Sequence, residues 1–223
     1  MLYQPVGVGL LLLFLFLLAL LVIVVEVRLL AYAYRKIGVN PRYVFAVLLL
    51  TLLGSHVNLP LYSIPVAYVR PPQVIALFGR AYIVPPVVEP GATVVAINVG
   101  GALIPVLVSL YLMVRMRGLR LRMLTGIAVV AVIVHSLARL VPGIGIAVPM
   151  FIPPLVAAVV ALILAFRRAP PVAYVSGSMG ALIGADVWNL GRIAELGAPI
   201  VSIGGAGTFD GVFLTGILAG LLV

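Results

Sequence analysis

Gly204-Gly205-Ala206-Gly207-Thr208-Phe209-Asp210-Gly211, with Gly184-Ala185-Asp186 upstream, decides how this chain is read. Both aspartates fall between Tyr174 and Val223, in segments that are otherwise apolar enough to cross a bilayer. A carboxylate at that depth is costly and marks a functional site by default. The surrounding glycines let backbones approach closely and let a helix break, so Gly204, Gly205 and Gly207 are read as a backbone break beside the acids.

The rest of the chain has the same character. It is 65% hydrophobic and 9% charged, with a mean hydropathy of +1.34. Water-soluble domains carry about 25% charged residues, so a soluble globule is excluded. The expectation is an all-α polytopic membrane protein, one transmembrane domain over 1–223, with about seven helices, several of them broken or kinked. The spans are expected at 6–34, 42–55, 92–114, 123–140, 146–166, 172–190 and 199–223. The first run lacks a basic leader and an Ala-x-Ala site, so it reads as a retained helix. Gln73–Leu77 and Ala81–Val84 are short β-prone runs fenced by Pro71-Pro72 and Pro85-Pro86, the signature of a short extracytoplasmic β-hairpin around 73–84.

The net charge of +9 comes from arginines placed between apolar runs, where they act as orientation signals; nucleic acid is therefore not expected as a partner. Arg35/Lys36/Arg42, Arg115 to Arg122 and Arg167/Arg168 occupy the first, third and fifth connections, which share one side if there are seven spans. The N-terminus is then outside and the C-terminus cytoplasmic, in a multi-pass cell-membrane protein. Thirteen arginines against one lysine, with abundant Gly, Ala and Val, point to a thermophile or a GC-rich microbe.

Several polar residues interrupt the apolar runs. Gly54-Ser55-His56-Val57-Asn58-Leu59-Pro60 breaks the second span, which exposes His56 and Asn58 to a cavity or makes them a polar helix end. Asn98, in Ile97-Asn98-Val99-Gly100-Gly101, is a candidate to orient substrate or to bind across helices as glue, and Asn189 is a candidate to orient substrate. Pro149, Pro153 and Pro154 imply a bent or partly unwound fifth span.

Asp186 and Asp210 lie on the two legs of one antiparallel pair and can meet if the glycine stretch is unwound. Two carboxylates in an apolar setting share one proton, since desolvation and repulsion disfavour two charges. Aspartyl proteolysis needs this state, one carboxylate activating water and its protonated partner polarising the scissile carbonyl. Proton- or cation-coupled transport needs it too. In a third, structural reading Thr208 or Asp210 caps a half-helix and Asp186 pairs with Arg139 or Arg192. There is no cysteine, no P-loop or dinucleotide fingerprint and no metal-ligand spacing, so neither metal nor cofactor is expected.

The block Ser176 to Asp186 through Asn189-Leu190, and Ser202 to Phe213, resembles the signature of an uncharacterised prokaryotic membrane family, domain of unknown function sixteen-fourteen. Ile97 to Pro105 and Pro142 to Ile146 resemble further parts of it. More distantly, two intramembrane aspartates on the last helices resemble presenilin-type and prepilin-type diaspartyl proteases. Those place the aspartate directly after Gly-x-Gly, whereas Thr208 and Phe209 intervene here, and this chain has no Pro-Ala-Leu near its C-terminus. The reading is an intramembrane aspartyl protease with Asp186 and Asp210 catalytic and His56, Asn58, Asn98, Asn189 and Thr208 orienting substrate. The alternative is a small proton- or cation-coupled transporter using the same acids. The partners are the lipid bilayer and a membrane peptide, cation or proton, with a homo-oligomer possible.

Overall fold

A computed structural model describes residues 7–70, 73–77, 80–84, 87–143, 145–205 and 211–223. The described residues are mostly helical, with small sheets. Three helical runs are long and apolar enough to cross a membrane: Val8–Lys36, Arg117–Leu137 and Ile152–Leu196. Pro41–Gly54, Val99–Arg115 and Gly211–Leu222 are shorter apolar helices.

α1 (Val8–Lys36) is apolar on every side and spans roughly 43 Å at 1.5 Å per residue. Its buried residues are Ala33 and Tyr34 in the last turns; the Leu and Phe surface above them is exposed, as a lipid-facing helix requires. α2 (Pro41–Gly54) starts where Asn40 accepts a hydrogen bond from Arg42 N and Pro41 supplies a preset first turn.

The chain then turns to β-structure. β1 (Asn58–Arg70) pairs antiparallel with β4 (Val87–Asn98), and β2 (Gln73–Leu77) pairs with β3 (Arg80–Val84) as the expected hairpin. β7 (Ile200–Ile203) adds parallel to β4 through Val94–Ile97, giving the order β1-β4-β7. Pro60 and Pro65 sit in β1, an edge strand where a missing N–H breaks no ladder, and the register shifts between Pro60 and Tyr62.

Three expectations are corrected here. The segment 92–98, expected to open the third span as helix, is strand: it is rich in β-branched residues and has partners on both sides. The helix begins only at Val99, as a π-helical turn Val99–Leu103 continuing into α3 (Ile104–Arg115). Likewise 199–223 is not one helix but β7 followed, beyond residues 206–210, by α7 (Gly211–Leu222). The fifth span, expected over 146–166 as bent or partly unwound, is helical only from Ile152: residues 146–147 are strand and Pro149 precedes the helix. Pro153 and Pro154 do not bend it, because they lie in the first turn of α5 (Ile152–Ala165), where no intrahelical N–H is needed.

α4 (Arg120–Leu137) leads to a small hairpin, β5 (Arg139–Val141) with β6 (Gly145–Ala147). α5 reverses at Phe166–Arg168 into α6 (Ala169–Ala181), antiparallel to it: a Cβ on Gly177 would touch Ala157 Cβ at 3.2 Å. α6 is buried along nearly its whole length, against α3, α4, α5 and α7. Close approach requires its glycine at position 180, where a Cβ would lie 2.6 Å from Val130.

The bundle has two unlike ends. Lys36 Nζ donates to Leu221 O at 2.9 Å, and Gly38 lies against Met116. A cavity joins Leu119 and Arg122 to Phe166–Arg168. The three basic clusters and the end of α7 thus share one end, while the β1-β4-β7 sheet caps the other.

Candidate functional site

α6 does not simply run on. It widens into a π-helical turn, Leu182–Asp186, then tightens into a 3₁₀ segment, Val187–Leu196. Changes of pitch of this kind break the regular ladder of backbone bonds and are common at functional sites. Asp186 closes the π turn, half-buried, and its Oδ2 accepts a hydrogen bond from Gly204 N at 2.7 Å. The donor is presented by a tight turn after β7 in which Gly204 and Gly205 have φ of +81° and +78°, a conformation glycine adopts without strain.

That turn is wedged. The Gly204 carbonyl packs so closely on Gly101 that a Cβ there would sit 1.9 Å from its oxygen. Gly101 is held by Asn98, which is fully buried and whose Oδ1 accepts from Gly101 N at 2.7 Å. Asn98 Nδ2 donates to Ser55 O at 2.8 Å and Asn58 Oδ1 at 3.0 Å, and Ser202 Oγ donates to the same Asn58 oxygen at 2.6 Å. A polar seam therefore runs from the end of α2, through the ends of β1, β4 and β7, to Asp186.

Asp186 also lines a cavity of about 480 Å³. Its walls are mostly apolar, formed by Val134 of α4, the β6 hairpin, Pro149, Pro153 and the β7 residues Ile200–Ile203; Ser202 and Thr215 add hydroxyls. Gly205 and Gly211, which bracket residues 206–210, both line this cavity.

The expected residues are thus sorted. Asp186, Gly204 and Gly205 come together at the cavity, and Asn58 and Asn98 meet in the adjoining seam. Asn189 belongs to a neighbouring group: its Nδ2 donates to Ala185 O at 2.8 Å and lies 3.5 Å from His135 Nδ1. The His135 ring meets Trp188 edge-on at 5.3 Å. His56 stands apart, exposed, with Nδ1 near Leu52 O and Ser55 Oγ of its own helix end. Asp210, Thr208 and Gly207 lie outside the described residues. Arg192, expected as a possible partner of Asp186, forms a two-pronged ion pair with Glu195 at 2.9 and 3.0 Å. Ser202 was not singled out in the sequence; its only signal there is its place two residues before Gly204.

Among the described residues no three of the histidines and acids come together as a metal site. What the arrangement offers chemically is one hydrogen-bonded carboxylate at the wall of an apolar chamber, with backbone and hydroxyl donors beside it.

The family described as "Protein of unknown function (DUF1614)" matches residues 52–222, most of the chain, and the chain belongs to that family. No curated protein and no solved structure matches it. The comparisons lend nothing to the resemblance to diaspartyl proteases.

Proposed function

We propose that this member of the DUF1614 family is an intramembrane aspartyl protease in which Asp186 and Asp210 form the catalytic pair. The observation that supports this most is that Gly205 and Gly211 line the same cavity as the Asp186 side chain, while Gly204 is hydrogen-bonded to that side chain. Asp210 is the sequence neighbour of Gly211, so a described residue that lines the chamber adjoins it directly. In the proposed reaction one carboxylate takes a proton from water as its oxygen attacks the scissile carbonyl carbon. The protonated partner gives its proton to the carbonyl oxygen. The gem-diol then collapses, the C–N bond breaks and the leaving amine takes up the proton. The apolar walls suit a membrane peptide. Asn98 serves this reaction by holding the Gly101 backbone against Gly204.

The same proposal places the chain in the cell membrane with about seven spans, N-terminus outside and C-terminus cytoplasmic. The gathering of the three basic clusters at one end of the bundle supports that orientation. The β2–β3 hairpin is then extracytoplasmic.

The test is cleavage of a fluorescent single-span reporter peptide in proteoliposomes. Asp186→Asn and Asp210→Asn each abolish cleavage, and Glu195→Gln, on the exposed ion pair, leaves it intact. Cleavage that survives either aspartate substitution in folded protein rules the reading out. The alternative is a small proton- or cation-coupled transporter, favoured by the π-helical breaks at Val99–Leu103 and Leu182–Asp186. In the same liposomes, an Asp186-dependent proton or sodium flux without peptide cleavage would select it.

A further inference from the structure

The basic end of the bundle holds a second cavity, of about 400 Å³, between the α3–α4 connection and the turn joining α5 to α6. Arg122, Arg167 and Arg168 line it together with Leu119, Leu164 and Phe166. All three are exposed residues, and like charges gathered around one hollow are balanced only by solvent or by a bound anion.

Among the described residues no acidic side chain pairs with them. No acidic residue occurs anywhere between Glu89 and Asp186. Other arginines have partners: Arg115 donates to the Tyr111 hydroxyl and lies over its ring, Arg120 donates to Met113 O at 2.7 Å, and Arg192 pairs with Glu195. Among the described residues, Arg122, Arg167 and Arg168 make no side-chain hydrogen bond or ion pair.

The helices add to the imbalance. α4 and α6 both begin at this end, with Leu119 and Arg168 at their N-caps, no capping side chain and no acid in the first turn. A helix N-terminus carries positive partial charge, and here arginines stand where acids are normally favoured. Orientation in the membrane requires arginines on this side, but not their convergence on one hollow.

We propose that this cavity binds the phosphate headgroup of an anionic phospholipid. The guanidiniums take the phosphate oxygens through their paired N–H donors, as that geometry favours. The apolar part of the lining identifies the source as lipid rather than free phosphate. Phe166 is 79% exposed and Leu164 lies beside it, so acyl chains leave the cavity along the outer face of α5. The site is remote from Asp186 and does not depend on the proposed proteolysis.

The experiment is native mass spectrometry of the full chain released from detergent, titrated with phosphatidylglycerol, phosphatidylcholine or inorganic phosphate. If each arginine contributes the factor of about five typical of a basic residue at an anionic surface, phosphatidylglycerol is preferred over phosphatidylcholine on the order of a hundredfold. Arg122→Gln alone lowers the preference about fivefold. Arg122→Gln/Arg167→Gln/Arg168→Gln abolishes it. The charge-matched Arg115→Gln/Arg117→Gln/Arg120→Gln keeps it. Equal retention of both lipids overturns the proposal. So does equal loss in both triple variants, which would reduce the effect to net charge. Inorganic phosphate binding as tightly as phosphatidylglycerol overturns the lipid as ligand.

Discussion

Gly101→Ala tests whether the polar seam holds Asp186. The added Cβ falls 1.9 Å from Gly204 O, and a comfortable carbon–oxygen contact is about 3.3 Å, so one backbone must retreat by roughly 1.4 Å. Gly101 cannot easily give way, because its N–H is pinned by Asn98 at 2.7 Å. The Gly204 turn moves instead, and its 2.7 Å hydrogen bond to Asp186 opens beyond bonding distance. Overpacking of this kind costs about 1–3 kcal/mol. Losing a hydrogen bond to a charged group costs about 1.5–3 kcal/mol more. The sum, near 4 kcal/mol, corresponds to a fall in Tm on the order of 10 °C for a chain of this length. The assay is thermal unfolding of purified protein in detergent, with Gly118→Ala, where a Cβ meets nothing within 4 Å, as the control. A cycle with Asp186→Ala isolates the hydrogen bond: the double variant should lose about 1.5–3 kcal/mol less than the sum of the single ones. Gly101→Ala behaving like Gly118→Ala refutes the close approach, and strict additivity refutes the tether to Asp186.

Two further outcomes follow from the interior. Asn98→Ala removes a helix cap and strips hydrogen bonds from buried Ser55 O and Gly101 N, for an expected loss of about 2–4 kcal/mol. Asn98→Asp, which points a charge at the acceptors Ser55 O and Asn58 Oδ1, costs at least as much; an aspartate variant as stable as the parent would disprove the network. Among the described residues the buried Tyr174 hydroxyl, beside Tyr34 and Ser178, makes no hydrogen bond of normal length and angle, so Tyr174→Phe discards a desolvated group for no well-formed bond. Its Tm should equal or exceed the parent's, and a drop of several degrees would mean that the hydroxyl is bonded after all.

How much of this was legible in the sequence depended on the range of the interaction. α2 and the β2–β3 hairpin are specified locally, by Asn40-Pro41 and by prolines and β-branched residues, and both are legible. The β1-β4-β7 sheet is not. Ala92 to Ile97 and Ile200 to Ile203 are short apolar runs that a bilayer helix would accept equally well. What makes them strands is their parallel pairing across more than a hundred residues. The prolines of the fifth span divide: Pro149 lies in a non-helical stretch, as a partly unwound segment implies, whereas Pro153 and Pro154 start a helix rather than bend one. At the candidate site, composition pointed to Asp186 and the glycine turn, because acid and glycine are conspicuous in an apolar chain. It could not point to Ser202, whose bond to Asn58 spans 144 residues.

The level of the site along the bundle bears on the choice between the two proposed functions. Counting from the basic end, α2 rises roughly 21 Å before Ser55, and α6 with its π turn rises roughly 27 Å to Asp186. With the basic loops at one interface of a hydrocarbon core about 30 Å thick, Ser55 falls somewhat beyond the midplane and Asp186 near the opposite interface. Coupled transporters centre their ion sites at the midplane, where either side can be opened in turn. A carboxylate close to the far interface, under a sheet that leaves β7 at the cavity wall, is within reach of water from one side only. Hydrolysis needs water at the carboxylate and an apolar chamber for the chain to be cut, and it has no need of a second opening. On this ground proteolysis is the better of the two proposals, and a water-accessibility profile in which position 186 reacts equally from both faces of the membrane would reverse that preference.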